Sequence, residues 1–253
     1  MGKSPTKRTS KKAGTAGKRR TPRRVRGKKP VTREYIEAIL LAVALALILR
    51  TFVIQAFRIP SASMEDTLLS GDFLLASKVH YGAQIPFTGW RLPGFTDPVP
   101  GDVIIFQYPL DTERDFIKRC LGVAGQTVEI RNKTLYVDGE RAVDPPRSKY
   151  ADPIIIPKES PNGVRDNFGP AVIPAGQLFV IGDNRDNSED SRFWGFLPTK
   201  LVKAKAVILY WSWAPDPRSP DYTGIASIPG MLAYNSSRFF DRVRWSRILN
   251  WVR

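Results

Sequence analysis

The 253-residue sequence holds one cysteine, Cys120, and one histidine, His80. A lone cysteine excludes an intramolecular disulfide and a thiolate zinc cage, and Cys120 reads as a small core residue. A lone histidine means that any Ser-His-Asp triad runs through His80. Its surroundings, "SKVHYGAQ", give no reason to place it near a candidate nucleophile, and a turn or surface position suits it better. Acidic residues are missing altogether from positions 1–33, which contain 14 Lys or Arg. That stretch supplies nearly all of the formal +15, leaving a body of 25 basic and 24 acidic side chains. The high isoelectric point therefore belongs to the tail and does not make the folded part a nucleic-acid binder.

The tail, "KSPTKRTSKKAGTAGKRRTPRRVRGKKP", is also poor in large apolar residues. It cannot bury enough surface to offset the entropy of ordering, so residues 1–34 are expected to be disordered. A solvated tail, a nucleic-acid tether, an organellar transit peptide and a cytoplasmic anchor drawn to anionic headgroups all fit that composition.

The adjoining apolar segment favours the cytoplasmic anchor. Ala38–Leu49, "AILLAVALALIL", is uninterrupted apolar sequence, and its extension to Phe57 meets only Arg50 as a charge. A helix of that length spans about 30 Å, one hydrocarbon core. A buried helix would suit the apolar run alone, and a cleaved signal peptide would suit its basic flank. "RTFVIQAF" downstream offers no clear small-x-small cleavage site, so an uncleaved anchor over residues 35–57 is expected. The positive charges upstream place the N-terminus in the cytoplasm and residues from Arg58 onward outside.

The external part reads as mostly β. Apolar and β-branched runs at 73–79, 102–109, 115–125, 177–184 and 204–213 are bounded by Gly, Pro and Asp. "TVEIRNKTLYVDGERA" alternates on both sides of Asn132-Lys133 and predicts a hairpin. Proline-rich residues 143–176 read as loops or part of a small insertion, bounded at about 130–176. The last stretch, residues 236–253, interleaves aromatic and aliphatic residues with arginines. It suits either a headgroup layer or a terminal helix packed on the domain.

Two serines, Ser61 and Ser63 in "RIPSASMEDTL", come directly after the apolar segment. As loop residues they would make local backbone bonds. As a nucleophile, either needs a base other than His80. A lysine serves if burial keeps it neutral, and Lys118 in the apolar "DFIKRCLG" meets that condition, although a strand lysine is more often solvated.

In order along the chain, "IPSASM", "PGDVIIFQYP", "DFIKRCLGVAGQ" and "GDNRDNSEDSRFWGFL" resemble the sequence boxes of type I signal peptidases, the leader peptidase family of Ser-Lys proteases. Each box alone is weak, and four in order are strong. The resemblance implies a coiled antiparallel β-sheet catalytic domain over residues 58–235, with a smaller β insertion, behind one N-terminal transmembrane helix. It implies Ser63 as nucleophile, Lys118 as general base, and Ser61 with the backbone of Ser63 as the oxyanion hole. Ser188 would orient the lysine, with Asp183, Arg185, Asp190 and Arg192 as its supporting network. Phe57, Ile59, Met64, Leu68, Ile105, Phe116 and Ile117 would line the cleft that selects small residues at −1 and −3. One position departs from the pattern: Asp66 stands where the family usually has proline, which removes a fixed φ.

The arginines interleaved in "RDNSEDSR" would neutralise its carboxylates rather than leave them to a cation, so neither metal nor cofactor is expected. The expected function is removal of signal peptides from exported preproteins at a bacterial cytoplasmic membrane, with membrane lipids as the other partner and no nucleic acid. A specialised peptidase maturing one dedicated substrate is the alternative within hydrolases. A non-catalytic membrane tether is the alternative outside them, and it has no need of the Ser63–Lys118 pairing.

Overall fold

The computed structural model describes residues 1–2, 31–86, 88–220 and 222–252. The chain divides into two units, Met1–Ala42 and Val43–Arg253. The tail expected to be disordered lies, for residues 3–30, outside the described residues.

Helix α1, Val31–Phe52, has no buried residue and is long and apolar enough to cross a membrane by length and composition. At 1.5 Å per residue its 22 residues span about 33 Å. It stops short of Phe57, the expected end of the anchor. Ile54–Arg58 instead forms strand β1, paired antiparallel with β2 (Asp72–Ser77) from Ile54↔Ser77 to Arg58↔Phe73. A short greasy run fits a helix or a strand equally by composition, and here β-branched Val53 and Ile54 turn to the sheet. Lys78 Nζ donates to the carbonyl oxygens of Arg50 and Thr51, satisfying acceptors that the helix end leaves open.

The domain after the helix is mostly β and antiparallel. Its further strands are β3 (Val103–Tyr108), β4 (Asp111–Val123), β5 (Thr127–Arg131), β6 (Thr134–Val137), β7 (Glu140–Arg141), β8 (Phe168–Val172), β9 (Gln177–Ile181), β10 (Leu197–Pro198), β11 (Val202–Ser212) and β12 (Asn250–Trp251). The large sheet runs β1-β2-β11-β3-β4-β9-β10, with β12 on β11. It is open, with β1 and β10 as its edges. Register shifts interrupt the pairings of β11 with both β2 and β3, and such bulges increase the local coiling of a sheet.

The small sheet, β7-β6-β5-β8, is the insertion, and it begins at Thr127 rather than 130. The predicted hairpin is present. Asn132 and Lys133 both take positive φ, 48° and 68°, as a two-residue turn between twisted strands requires.

Strand β3 shows why its sequence is apolar without alternation. Val103 and Ile105 enter one core cluster with Met64, Leu68 and Leu74, while Ile104 and Phe106 enter another with Cys120, Leu178 and Val180. Both faces of the strand are buried, so both sets must be apolar. Strand β9 likewise sends Leu178 and Val180 to the second cluster and Phe179 and Ile181 to a third, which it shares with Val128, Ile130 and Leu135 of the small sheet.

Residues 236–253 do not form one amphipathic helix. After α2 (Ser191–Trp194) and α3 (Ile228–Ser237), a single turn α4 (Phe239–Arg242) leads into a strip that runs along β11. Arg244 N donates to Ser212 O, Leu249 N to Leu209 O and Val252 N to Val207 O. The packed side of this strip holds Val243, whereas Phe240, Trp245, Leu249 and Trp251 stay exposed.

Candidate active site

Ser63 sits in a closed loop between β1 and β2. The loop is fastened at its base, where Ile59 N donates to Asp72 O and Gly71 N to Ile59 O, both 2.9 Å. Inside it, Met64 and Leu68 are buried in the first core cluster and Leu68 N donates to Met64 O. The backbone that carries the hydroxyl is thereby anchored by apolar packing on its C-terminal side.

Asp66 adopts φ 75°. Proline is locked near −65° and has no access to that region, whereas aspartate tolerates it. The departure from the family's proline is thus matched to the local backbone.

Lys118 comes from the middle of β4, paired with Ile104 of β3, and is 3 % exposed. Its Nζ donates to Ser63 Oγ at 2.8 Å and lies 5.3 Å from the centre of the Phe116 ring. Burial lowers its pKa to about 8, against the upward pull of the Asp190, Glu189 and Asp183 carboxylates, with Arg192 adding to the lowering. A neutral amine is therefore available near neutral pH, and in that form the Ser63 hydroxyl becomes the donor.

Ser61 Oγ lies 3.4 Å from Ser63 Oγ and is exposed to the groove. His80, by contrast, bonds Ser77 Oγ through Nδ1, and Cys120 is a buried free thiol pushed up to about 12 by burial.

The groove beside Ser63 has a volume of about 610 Å³. Phe57, Ile59, Met64, Leu68, Phe116 and Ile117 line it together with Ser61, Ser63 and Lys118. Ile105 does not line it. That residue is fully buried in the centre of β3, flanked by β4 and β11, and forms the core layer that Met64 and Leu68 pack with. The groove has a charged part as well, with Arg114, Asp115, Asn187 and Glu189.

The segment after β9 passes directly along the nucleophile loop. Asn184 N donates to Ser63 O at 3.1 Å, and Asn184 Nδ2 donates to Ala62 O at 3.2 Å. Gly182 is needed for this approach: a Cβ there would lie 2.4 Å from Ser63 O and 2.2 Å from Ser188 Oγ. Ser188 is thus beside the nucleophile, but its buried hydroxyl has no hydrogen-bond partner and is not bonded to Lys118.

The supporting charges separate into pairs. Asp183 is held by both arms of Arg119, at 2.8 and 2.7 Å, and accepts the Thr67 hydroxyl at 2.6 Å. Asp190 caps α2 and takes a two-pronged contact from Arg192, both 2.8 Å, plus Gly182 N. Both carboxylates are buried and paired. Arg185 faces elsewhere, toward Asp144, Ser148 and Tyr150, and is not part of the set around Lys118.

Sequence reasoning missed Thr67, Arg119, Gly182 and Asn184. Arg119 adjoins Lys118, and Gly182 and Asn184 flank Asp183, so neighbouring positions carried the signal. Strand alternation alone points Arg119 away from its neighbour's partner and gives it no target.

The family described as "Signal peptidase, peptidase S26" matches residues 32–211. "Signal peptidase I" of Pseudomonas aeruginosa is 34% identical over 217 residues, covering 76% of each chain. "Signal peptidase I" of Aquifex aeolicus is 32% identical over 228 residues, covering 71% of this chain and 84% of that one. "Probable signal peptidase I-1" of Synechocystis sp. is 37% identical over 186 residues, covering 71% of this chain and 82% of that one.

Proposed function

The chain belongs to the signal peptidase family, peptidase S26, and is a serine peptidase; from that premise we propose that it is a membrane-anchored Ser-Lys endopeptidase that cuts exported preproteins after small residues at −1 and −3. The observation that carries the reading is the 2.8 Å contact of a 3 %-exposed Lys118 with Ser63, which gives a hydroxyl a desolvated amine as its base. A non-catalytic tether has no use for it.

In this reading the Ser63 oxygen attacks the scissile carbonyl while Lys118 Nζ takes the hydroxyl proton. The negative oxygen of the tetrahedral intermediate is met by the Ser61 hydroxyl and the Ser63 N–H, with each such donor contributing about 3 kcal/mol. The Lys118 ammonium then protonates the departing amine, leaving an ester on Ser63. Water attacks that ester, Lys118 accepts its proton, and the freed serine oxygen recovers one. Ser188 holds the amine once substrate covers the groove, and the Asp183 and Asp190 pairs fix the backbone around both residues.

The apolar helix Val31–Phe52 and the basic residues before it support a single-pass anchor. We place the N-terminus in the cytoplasm and the β domain outside the bacterial cytoplasmic membrane. The test is incubation of the full-length protein in detergent with a preprotein, followed by sequencing of the new N-terminus. Cleavage after an Ala-x-Ala stretch, absent with Ser63→Ala, is expected. Ser63-independent cleavage would overturn the reading.

A further inference from the structure

The C-terminal strip contributes arginines to the back of the nucleophile loop, a role that neither a membrane-surface segment nor a packing element requires. Asp72, at the base of that loop, is fully buried. Arg247 reaches it with Nη2 at 2.6 Å and Nε at 3.2 Å, Arg244 Nη1 approaches at 3.5 Å, and Ser212 Oγ donates at 2.6 Å. The same guanidinium groups also bind the loop's backbone. Arg247 Nη2 donates to Thr67 O at 2.9 Å, and Arg244 donates to Ser70 O at 3.1 and 3.2 Å. Asp72 itself accepts from Leu69 N at 2.8 Å.

Thr67 is consequently held from two sides. Its hydroxyl is on Asp183, which Arg119 fixes, and its carbonyl is on Arg247. The next residue, Leu68, and the earlier Met64 form the groove wall, and Ser63 precedes them. A loop gripped at this point has little freedom to retreat from a large substrate side chain or to let Ser63 drift from Lys118.

We infer that Arg247, supported by Arg244 and received by Asp72, is a positioning residue for catalysis that holds the Thr67–Leu68 segment in place and so sets both the register of Ser63 and the size of residue accepted at −1. Arginine suits this use because one planar fork bonds a carboxylate and a neighbouring carbonyl together. Lysine, a compact point charge on a flexible stem, lacks the planar fork that fixes the two acceptors relative to each other. The inference rests on the Ser-Lys reading of the site.

The experiment compares the full-length protein with Arg247→Lys and Arg244→Gln on two peptides that differ only in Ala or Leu at −1, well below each variant's melting temperature. Arg247→Lys should lower kcat on the Ala peptide about tenfold with KM little changed, since small misplacements of a nucleophile act on rate. The preference for Ala over Leu should shrink at least several-fold, and Arg244→Gln should shift it in the same direction to a smaller extent. A lower melting temperature with unchanged kcat and unchanged Ala-over-Leu ratio in the folded protein would show an ordinary structural ion pair and overturn the inference. Should Arg247→Lys fail to fold, an unchanged ratio in Arg244→Gln overturns it alone. Loss of Ser63-dependent cleavage in the parent protein is a separate outcome, seen before any variant is compared, and removes the site reading together with the inference.

Discussion

Lys118 and Ser63, 55 positions apart, meet at 2.8 Å because β4 carries the amine into the interior where the loop between β1 and β2 delivers the hydroxyl. Neither the histidine nor the cysteine stands beside them. His80 is occupied with Ser77 and the Cys120 thiol is buried in the core cluster of Ile104 and Phe106. In the proposed mechanism the chemistry of the site therefore rests on one desolvated amine.

Ser63→Ala and Lys118→Met should each lower kcat/KM by at least about three orders of magnitude while the protein stays folded, because a hydroxyl without a base is a poor nucleophile. In the parent protein, kcat/KM should rise with pH through a limb near the Lys118 value of about 8 and level off above it, the neutral amine being the active form. The limb in kcat should lie lower still, because bound substrate expels water and further disfavours the ammonium. Initial rates from pH 6 to 10 check both, and a flat profile would contradict the assignment.

Glu189 gives a way to move that limb. The carboxylate is exposed at the groove and accepts the Tyr108 hydroxyl, a contact that pushes the phenol up to about 12. It is one of three carboxylates, with Asp190 and Asp183, that favour the charged form of Lys118, against Arg192 and burial. Unlike the other two it has no arginine pair among the described residues, so its charge is removable without orphaning a buried cation. Glu189→Gln should displace the kcat/KM limb toward lower pH, and Tyr108→Phe, which frees the carboxylate to solvent, should do so less. A limb moving alkaline in Glu189→Gln would refute this electrostatic account.

The buried amine also costs stability. Its pKa in the folded protein, about 8, lies below the ordinary 10.5, so between those values the unfolded chain binds more protons and stability rises with pH. Above 10.5 the penalty is gone, and below 8 it is fully present, amounting to about 3 kcal/mol at most. Lys118→Met should therefore be more stable than the parent at pH 7, by about 1–3 kcal/mol, and should lose the rise between pH 8 and 10. Denaturant melts at several pH values measure it. A less stable Lys118→Met would mean that the amine's contacts outweigh its burial.

These effects are unevenly legible in the sequence. The strands, the hairpin at Asn132-Lys133 and the pairing of Ser63 with Lys118 emerge from apolar runs, turn residues and four ordered motifs. Pairings across long separations do not. Nothing local tells Arg247 that its carboxylate is Asp72, or Thr67 that its acceptor is Asp183, since these contacts exist only once distant strands assemble. The helix end at Phe52 is hidden because residues 53–57 are as apolar as the helix before them. The resemblance puts Ile105 in the cleft, but packing places it one layer deeper, in the core cluster of Met64 and Leu68. The resemblance groups Arg185 with Asp183 and Asp190, while its side chain turns to Asp144.

The proposed topology predicts an asymmetric response to protease. Added outside spheroplasts, protease should digest residues after Arg58 and leave the N-terminal tail, detected by an antibody to residues 1–30. Replacing the basic residues before α1 by glutamine should reduce the fraction correctly oriented, because loop cations set the direction of insertion. A β domain protected in sealed cells would invert the assignment.

In the proposed function, selection at −1 comes from the lining of the groove next to Ser63. Ile59, Met64, Leu68 and Ile117 present only apolar atoms, and Met64 and Leu68 cannot move aside without disturbing the core they belong to. Alanine at −1 fits. A lysine head there would lose its hydration without gaining a partner, at a cost of several kcal/mol, and a phenyl ring would require the wall to shift. The substrate backbone, extended along the strands that border the groove, supplies affinity that does not depend on sequence. A peptide series varying only −1 and −3 should then show kcat/KM for Ala-x-Ala at least about a hundredfold above Lys or Phe at −1. The charged part of the groove, Arg114 and Glu189, predicts the opposite behaviour at positions farther from the cut, where charged side chains should be accepted. Efficient cleavage after Lys or Phe would show that the wall of Met64 and Leu68 does not face the residue at −1.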